Sequence, residues 1–293
     1  MEIGLALPQM ALGYDSGTTV AWARGADEGP FASISAGERV TFSNPEMVAS
    51  LAAAAAVTSR VRIFANLWVL PAHSMAMVAQ QVNTLDQLSG GRLTVAVGVG
   101  AREDDYRALG SSFAGRHARL DDQVHELRRL LAGEPPFPGA EPVGPPATQP
   151  GGPELLSGAM GPKGIRRAAA WADGISAFSL SGDRAEIART NDLAAQCWAE
   201  AGRPAPRKVS GTFFALGVDD PLTTLRDFAA RYLGFLGTDL SRALADGLHA
   251  ASADDVRRIL DGAEEAGCDE FVLVPATTDL RALDELTGLL ANR

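Results

Sequence analysis

The segment Ser157-Gly158-Ala159-Met160-Gly161-Pro162-Lys163-Gly164 holds the residue types of an anion cradle. Its glycines uncover backbone N–H groups, Pro162 suits the first position of a helix, and Lys163 adds a positive charge. Helix N-termini present unpaired donors and a partial positive potential, so the chemistry on offer is phosphate binding. A glycine-rich turn before a capped helix uses the same residues, and spacing alone does not separate the two readings. Two side chains are candidates for proton transfer. His73 follows an apolar run at a helix start, where an imidazole can bond a ligand or cap the helix. Glu38 sits in a short polar loop, as a general base or as a solvated carboxylate. Arg102 and Tyr106 are candidates for substrate contact, although Arg102-Glu103-Asp104-Asp105 also reads as an ordinary helix start. His117, His125 and His249 fall in helical patterns and read as surface or packing residues. No His and carboxylate share metal-ligand spacing, which argues against a metal-dependent hydrolase, and there is no GxSxG elbow.

Those candidates must be placed by an alternation of short apolar runs and amphipathic segments. Ile3–Leu7, Phe31–Ile34, Val61–Leu70, Leu93–Val99, Leu155–Ser157, Ile175–Phe178, Val209–Leu216 and Phe271–Val274 read as strands. Helical periodicity follows each: Met75, Val78, Val82 and Leu85 share one face, as do Leu120, Val124, Leu127 and Leu131. Ser43-Asn44-Pro45-Glu46 carries capping signals for the helix after the second strand. Strand-then-helix units force parallel strands, and eight of them close a (β/α)8 TIM barrel. A doubly wound sheet would want a dinucleotide fingerprint after the first strand, where Pro8-Gln9-Met10 stands instead. One domain over residues 1–293 is expected, with a Pro/Gly-rich surface insertion at 133–153 after the fourth helix. In such a barrel the site lies at the carboxyl ends of the strands, where the candidates above fall.

Bulk properties exclude several partners. With 46% hydrophobic and 21% charged residues the chain of 293 is globular in composition. Its net charge of −10, without a Lys/Arg cluster, argues against nucleic acid and anionic membranes. No apolar run reaches membrane-spanning length, and the N-terminus lacks a basic leader pattern, so a cytoplasmic location is expected. Cys197 and Cys268 read as small buried thiols in a reducing compartment.

The run Thr84 to Gly100, TLDQLSGGRLTVAVGVG, turns on Ser89-Gly90-Gly91 and launches a strand that ends on Gly98 and Gly100. Glycine strips that end of side chains, leaving room for a flat group. Preceded by Thr58-Ser59-Arg60-Val61-Arg62-Ile63 and followed by SGAMGPKGIRRAAAWADG, this run resembles the bacterial luciferase-like superfamily of flavin- or deazaflavin-dependent barrel oxidoreductases. The resemblance implies reduced FMN, or coenzyme F420, across the barrel mouth. It implies that Ala65, Asn66 and Leu67 form a bulge behind the ring, often with a non-prolyl cis peptide. Val97, Gly98 and Val99 would approach the ring edge, and Gly158, Ala159, Met160, Gly161 and Pro162 would bind the cofactor phosphate beside Lys163. Without the resemblance Asn66 reads as a polar residue finishing a strand.

Several members of that superfamily place a histidine after the second strand, and here Ser33-Ile34-Ser35-Ala36-Gly37-Glu38-Arg39 has none. His73 and Glu38 are therefore the catalytic candidates. The expected activity is monooxygenation of a small organic substrate by reduced FMN and O2. Hydride transfer with F420 is the alternative, and a flavin-binding protein without turnover is the reading from another class. The resemblance favours a homodimer and admits a separate flavin reductase. A barrel lyase or isomerase would need charged groups inside the barrel, and the strand runs show almost none beyond Arg62.

Overall fold

The computed structural model describes residues 1–293. Its eight strands are β1 (Glu2–Ala6), β2 (Ser33–Ala36), β3 (Arg62–Val69), β4 (Leu93–Gly98), β5 (Glu154–Ser157), β6 (Gly174–Ser176), β7 (Arg207–Phe214) and β8 (Glu270–Pro275). Each pairs in parallel with its neighbour in sequence, and β8 pairs with β1 to close the barrel. Eleven helices surround it: α1 (Thr18–Glu28), α2 (Met47–Val57), α3 (Met75–Ser89), α4 (Glu103–Ala108), α5 (Arg116–Leu131), α6 (Pro162–Ala168), α7 (Arg184–Glu200), α8 (Pro221–Tyr232), α9 (Thr238–Asp246), α10 (Ala253–Glu265) and α11 (Leu280–Ala291). None is long and apolar enough to cross a membrane.

Period-two alternation sorts the strand side chains into two layers. Ala6, Phe64, Ala96, Leu156, Val209 and Val272 meet inside the barrel. Their neighbours Leu5, Ile63, Val95, Leu155, Phe214 and Phe271 point outward and pack against the helices. The amino-terminal end of the barrel is charged. Glu270, 1% exposed, accepts from Arg62 Nη2 and Arg207 Nη2, each at 2.7 Å, and from Ser33 Oγ. Glu2 and Glu154 pair with the same two arginines at 2.7 and 3.1 Å. The expectation of an almost uncharged interior is thus corrected: beyond Arg62, the charged residues Glu2, Glu154, Arg207 and Glu270 lie one or two positions before the apolar runs that mark the strands.

Several local reasons fix the strand positions. Asp27 accepts from the backbone N–H groups of Ser59, Arg60 and Val61, which holds the α2–β3 turn against α1. Arg92 donates to the carbonyls of Ser89, Thr58 and Val61, so the Ser89-Gly90-Gly91 turn is bolted to the start of β3. Gly90, at φ 65°, supplies the left-handed residue that ends α3. Glu46, and not Ser43, caps α2 by accepting from Ala49 N at 2.6 Å.

The Pro/Gly-rich segment from Gly133 to Pro153 forms neither helix nor strand. It follows α5, because the short helix α4 adds one to the expected count. Buried Asp86 ties it down by accepting from Thr148 N (2.7 Å), Gln149 N (2.9 Å) and Gln149 Nε2 (2.8 Å). His249 lies in the stretch after α9, not within a helix, and is exposed.

Candidate active site at the barrel mouth

At the carboxyl end of the barrel β3 bulges. Ala65 pairs with Val95 and Trp68 with Val97, so Asn66 and Leu67 together fill the span of one β4 residue. The Asn66–Leu67 peptide is cis. Asn66 Oδ1 accepts from Ser176 Oγ of β6 at 2.9 Å, a bond that crosses the mouth.

Leu67 lies across Gly98, which ends β4, and Gly158, which follows β5. A Cβ at Gly98 would stand 3.2 Å from both Leu67 Cδ atoms, and a Cβ at Gly158 would overlap Leu67 Cδ2 outright. The side chains removed from this spot therefore make room for Leu67, and the apolar floor of the mouth is Leu67 itself. That refines the expectation of bare glycine. Ala65 and Val97 depart from it further: both are fully buried in the layer between sheet and helices, so each offers the site only its backbone. Val97 O is itself engaged, accepting from Gly158 N at 2.8 Å. Val99 is half-buried and packs against the same layer.

Glu38 and His73, set apart in sequence, are neighbours. Glu38 Oε1 and His73 Nε2 are 2.6 Å apart, with side chains 12% and 22% exposed. Glu38 is thus no solvated loop carboxylate. Its second oxygen accepts from Val69 N at 2.7 Å and its own N–H donates to Leu67 O at 3.2 Å, bracing the bulge from both sides. Gly37 is required beside it, since a Cβ there would sit 2.8 Å from Asn66 O. Gln123 Nε2 holds His73 O at 3.1 Å. His73 Nδ1 makes no hydrogen bond within the chain, which leaves that nitrogen to exchange a proton. Buried Gln9 donates to Gly37 O, while its Oε1 lacks a partner.

The Gly158–Lys163 segment joins β5 to α6 at the rim. The N–H groups of Ala159, Met160 and Gly161 have no acceptor in the chain, Met160 is 61% exposed, and Pro162 opens α6. Gly158 N is not available, being bonded to Val97 O. Lys163 is exposed.

Tyr106 departs from its expected role. It is 0% exposed, its hydroxyl donates to Val99 O at 2.6 Å, and its ring packs edge-on to Phe113. Burial pushes that hydroxyl up to about 12. Such a side chain props the β4 loop and does not touch substrate. Arg102, just before α4, has its guanidinium carbon 4.8 Å from the Tyr232 ring centroid. Tyr232, Phe213 and Phe178 form a chain of rings, with centroids 5.2 and 4.7 Å apart, that leads from α8 to the barrel top. Arg39 lies against Tyr232 and Phe42. Burial, and then the positive charge of Arg102, bring its guanidinium down to about 10, so it stays charged at neutral pH. Ser176, Arg39, Phe42 and Tyr232 carry no motif, and nothing in their spacing marks them. A cavity of about 610 Å³ opens beside this region, between α8, α9 and the loops after β1 and β8, and does not include Glu38, His73 or Leu67.

Residues 2–237 match the family model described as luciferase-like monooxygenase. The chain is 38% identical over 96 residues to a 4-hydroxyprotoasukamycin monooxygenase of Streptomyces nodosus, a match that covers 33% of this chain and 25% of that relative. The chain thus spans about a quarter of the length of that curated relative. Among solved structures, the monooxygenase RslO1 from Streptomyces bottropensis superposes with a TM-score of 0.79 at 23% identity, covering 100% of this chain and 98% of that one. An F420-dependent secondary alcohol dehydrogenase superposes with a TM-score of 0.80 at 20% identity over 98% of this chain and 97% of that one. At those identities the two structures share the fold.

Proposed function

The chain belongs to the luciferase-like monooxygenase family, and on that premise we propose that it is an oxidoreductase holding a reduced flavin-type cofactor across the barrel mouth. The observation that carries this reading is the Leu67 floor: an apolar, partly exposed surface laid over Gly98 and Gly158, with polar Asn66 and Ser176 at its edge. A flat ring fits against such a surface, and the unbonded N–H groups of Ala159, Met160 and Gly161, with Lys163, suit its phosphate.

When bound, reduced FMN supplies electrons for activating O2, and reduced F420 supplies a hydride. The chain's own residues position and exclude. Leu67 keeps water from one face, and the rings of Phe178, Phe213 and Tyr232 line the approach for an organic substrate. Glu38 accepts from His73 Nε2–H, which fixes the tautomer and leaves Nδ1 as the group that takes or returns a proton.

FMN-dependent monooxygenation is the first reading, with reduced FMN delivered by a separate flavin reductase. Hydride transfer with F420 is the second, favoured by the His73–Glu38 pair, since a carbonyl that takes a hydride from reduced F420 requires an acid to protonate its oxygen, and the reverse reaction, with oxidised F420 as hydride acceptor, requires the same group as base. A homodimer accompanies both readings. Titration of the purified protein with FMN and with F420, each oxidised and reduced, tests the proposal. Micromolar binding of one of them is expected; millimolar or weaker binding of all four forms would overturn it.

A further inference from the structure

Arg39, Arg102 and Arg231 come from three separate segments: the loop after β2, the residue before α4, and the last turn of α8. They converge on shared rings. Arg39 lies 3.7 Å from the Phe42 centroid and 5.3 Å from that of Tyr232; Arg102 lies 4.8 Å from Tyr232 and 4.7 Å from Phe235; Arg231 lies 4.4 Å from Phe42. None of the three forms an ion pair, whereas twelve other arginines do. Arg39 Nη1 donates to Tyr232 O at 3.1 Å, and Arg231 donates to Ser43 Oγ and Met10 O. Arg102 donates to nothing in the chain, and its Nε is buried without a partner. The acid beside them, Asp105, accepts from Val40 N, Thr41 N and Thr41 Oγ1 and lies beyond ion-pair distance.

Gathering three like charges in a chain of net charge −10 is unfavourable by itself. Rings under guanidinium groups offset part of that repulsion, and they also hold each group in place. A guanidinium so held presents N–H donors to an acceptor, and the acceptor that matches its fork is a carboxylate. The ring chain from Tyr232 to Phe213 runs from these arginines to the barrel top.

We infer that Arg39, Arg102 and Arg231 form the subsite for a carboxylate carried by the organic substrate, whose apolar body lies along Tyr232 and Phe213 toward Leu67. The inference rests on the oxidoreductase reading for the word substrate, but the subsite stands apart from the Gly158–Lys163 loop, which follows β5. The substrate class is a small organic acid.

Calorimetric titration of the full chain with benzoate, benzamide and inorganic phosphate tests it. Benzoate should bind about tenfold or more tightly than its neutral isostere benzamide. Arg102→Gln should remove that advantage, Arg102→Lys should restore part of it, and both variants should bind FMN or F420 as the unaltered protein does. Equal binding of benzoate and benzamide, or benzoate binding untouched by Arg102→Gln, overturns the subsite. Phosphate that binds as tightly as benzoate, with neither affected by Tyr232→Leu, overturns the organic-acid assignment and leaves a site for charge alone. Benzoate discrimination in a protein that binds neither cofactor would strike the oxidoreductase reading and leave the subsite standing.

Discussion

Gly158→Ala is a small change with a large expected effect, because the methyl enters space that Leu67 already fills. The Gly158 backbone is not in the left-handed region, so alanine meets no conformational strain. Its Cβ overlaps Leu67 Cδ2 and lies 3.6 Å from Val97 O, an ordinary contact. The whole penalty therefore falls on one pair. Overpacking of this kind costs about 1–3 kcal/mol. Losing glycine's freedom in the unfolded chain offsets about 0.4–1 kcal/mol. A net loss of about 1–2 kcal/mol is expected, seen as a melting-point drop of about 2–4 °C per kcal/mol. In a Leu67→Ala background the same substitution should be neutral or mildly stabilising, giving a coupling energy of about 1–3 kcal/mol between the two sites. Urea melts of the four proteins measure it. Cofactor titrations should show weaker binding in Gly158→Ala, where Leu67 is driven into the mouth. Equal destabilisation by Gly158→Ala with and without Leu67 would refute the reasoning, since the penalty would then lie elsewhere.

Other perturbations separate structural from chemical roles. Glu270→Ala removes the buried carboxylate that Arg62 and Arg207 share but leaves them Glu2 and Glu154, and should cost about 1–3 kcal/mol in a denaturant melt, whereas a variant replacing all three by apolar residues should recover much of the loss. His73→Gln should abolish most turnover with little change in stability. Glu38→Ala should lower turnover and stability alike, because Val69 N loses its acceptor at about 1–3 kcal/mol. Acid sensitivity should fall in Asp27→Asn: burial opposes the Asp27 charge, but donors from Val61, Ser59 and Arg60 prevail and lower its carboxyl from 3.8 to about 2. A depressed folded value means the contribution is complete above about pH 4 and is lost as pH falls toward 2. Asp27→Asn should therefore be less stable at pH 7, and its stability should change less than the unaltered protein's between pH 4 and 2.

The barrel was legible because buried parallel strands are continuous apolar runs and their helices keep a 3.6-residue stripe. Boundaries were less so. Glu2, Glu154, Arg207 and Glu270 belong to strands yet read as loop, since only a closed barrel brings opposite charges together at its end. The LSGGR turn and the glycine-ended strand were visible as punctuation, but their partner, Leu67, was not, because a bulge changes which way a side chain points. Ala65 and Val97 face outward by plain alternation, with Ile63 and Val95, because the side a strand residue faces is set by the register of the closed barrel. His73 and Glu38 were each visible as titratable groups after strands; their contact depends on β2 and β3 being neighbours. Tyr106 misled because its position past Gly100 says nothing about whether the ring folds inward. Of the arginine–aromatic cluster only Arg102 was visible, as a candidate for substrate contact, because the members sit up to 196 residues apart, from Arg39 to Phe235.

The central claim is that a flavin-type ring rests on Leu67 at the carboxyl end of the barrel. A crystal structure of the protein soaked with FMN, and of a second crystal soaked with F420, tests it most directly. The account predicts the ring in van der Waals contact with Leu67, beside Asn66, with the phosphate at the N–H groups of Ala159 to Gly161. A ring lodged in the cavity between α8 and α9, or held away from Leu67 with its phosphate elsewhere, would contradict it.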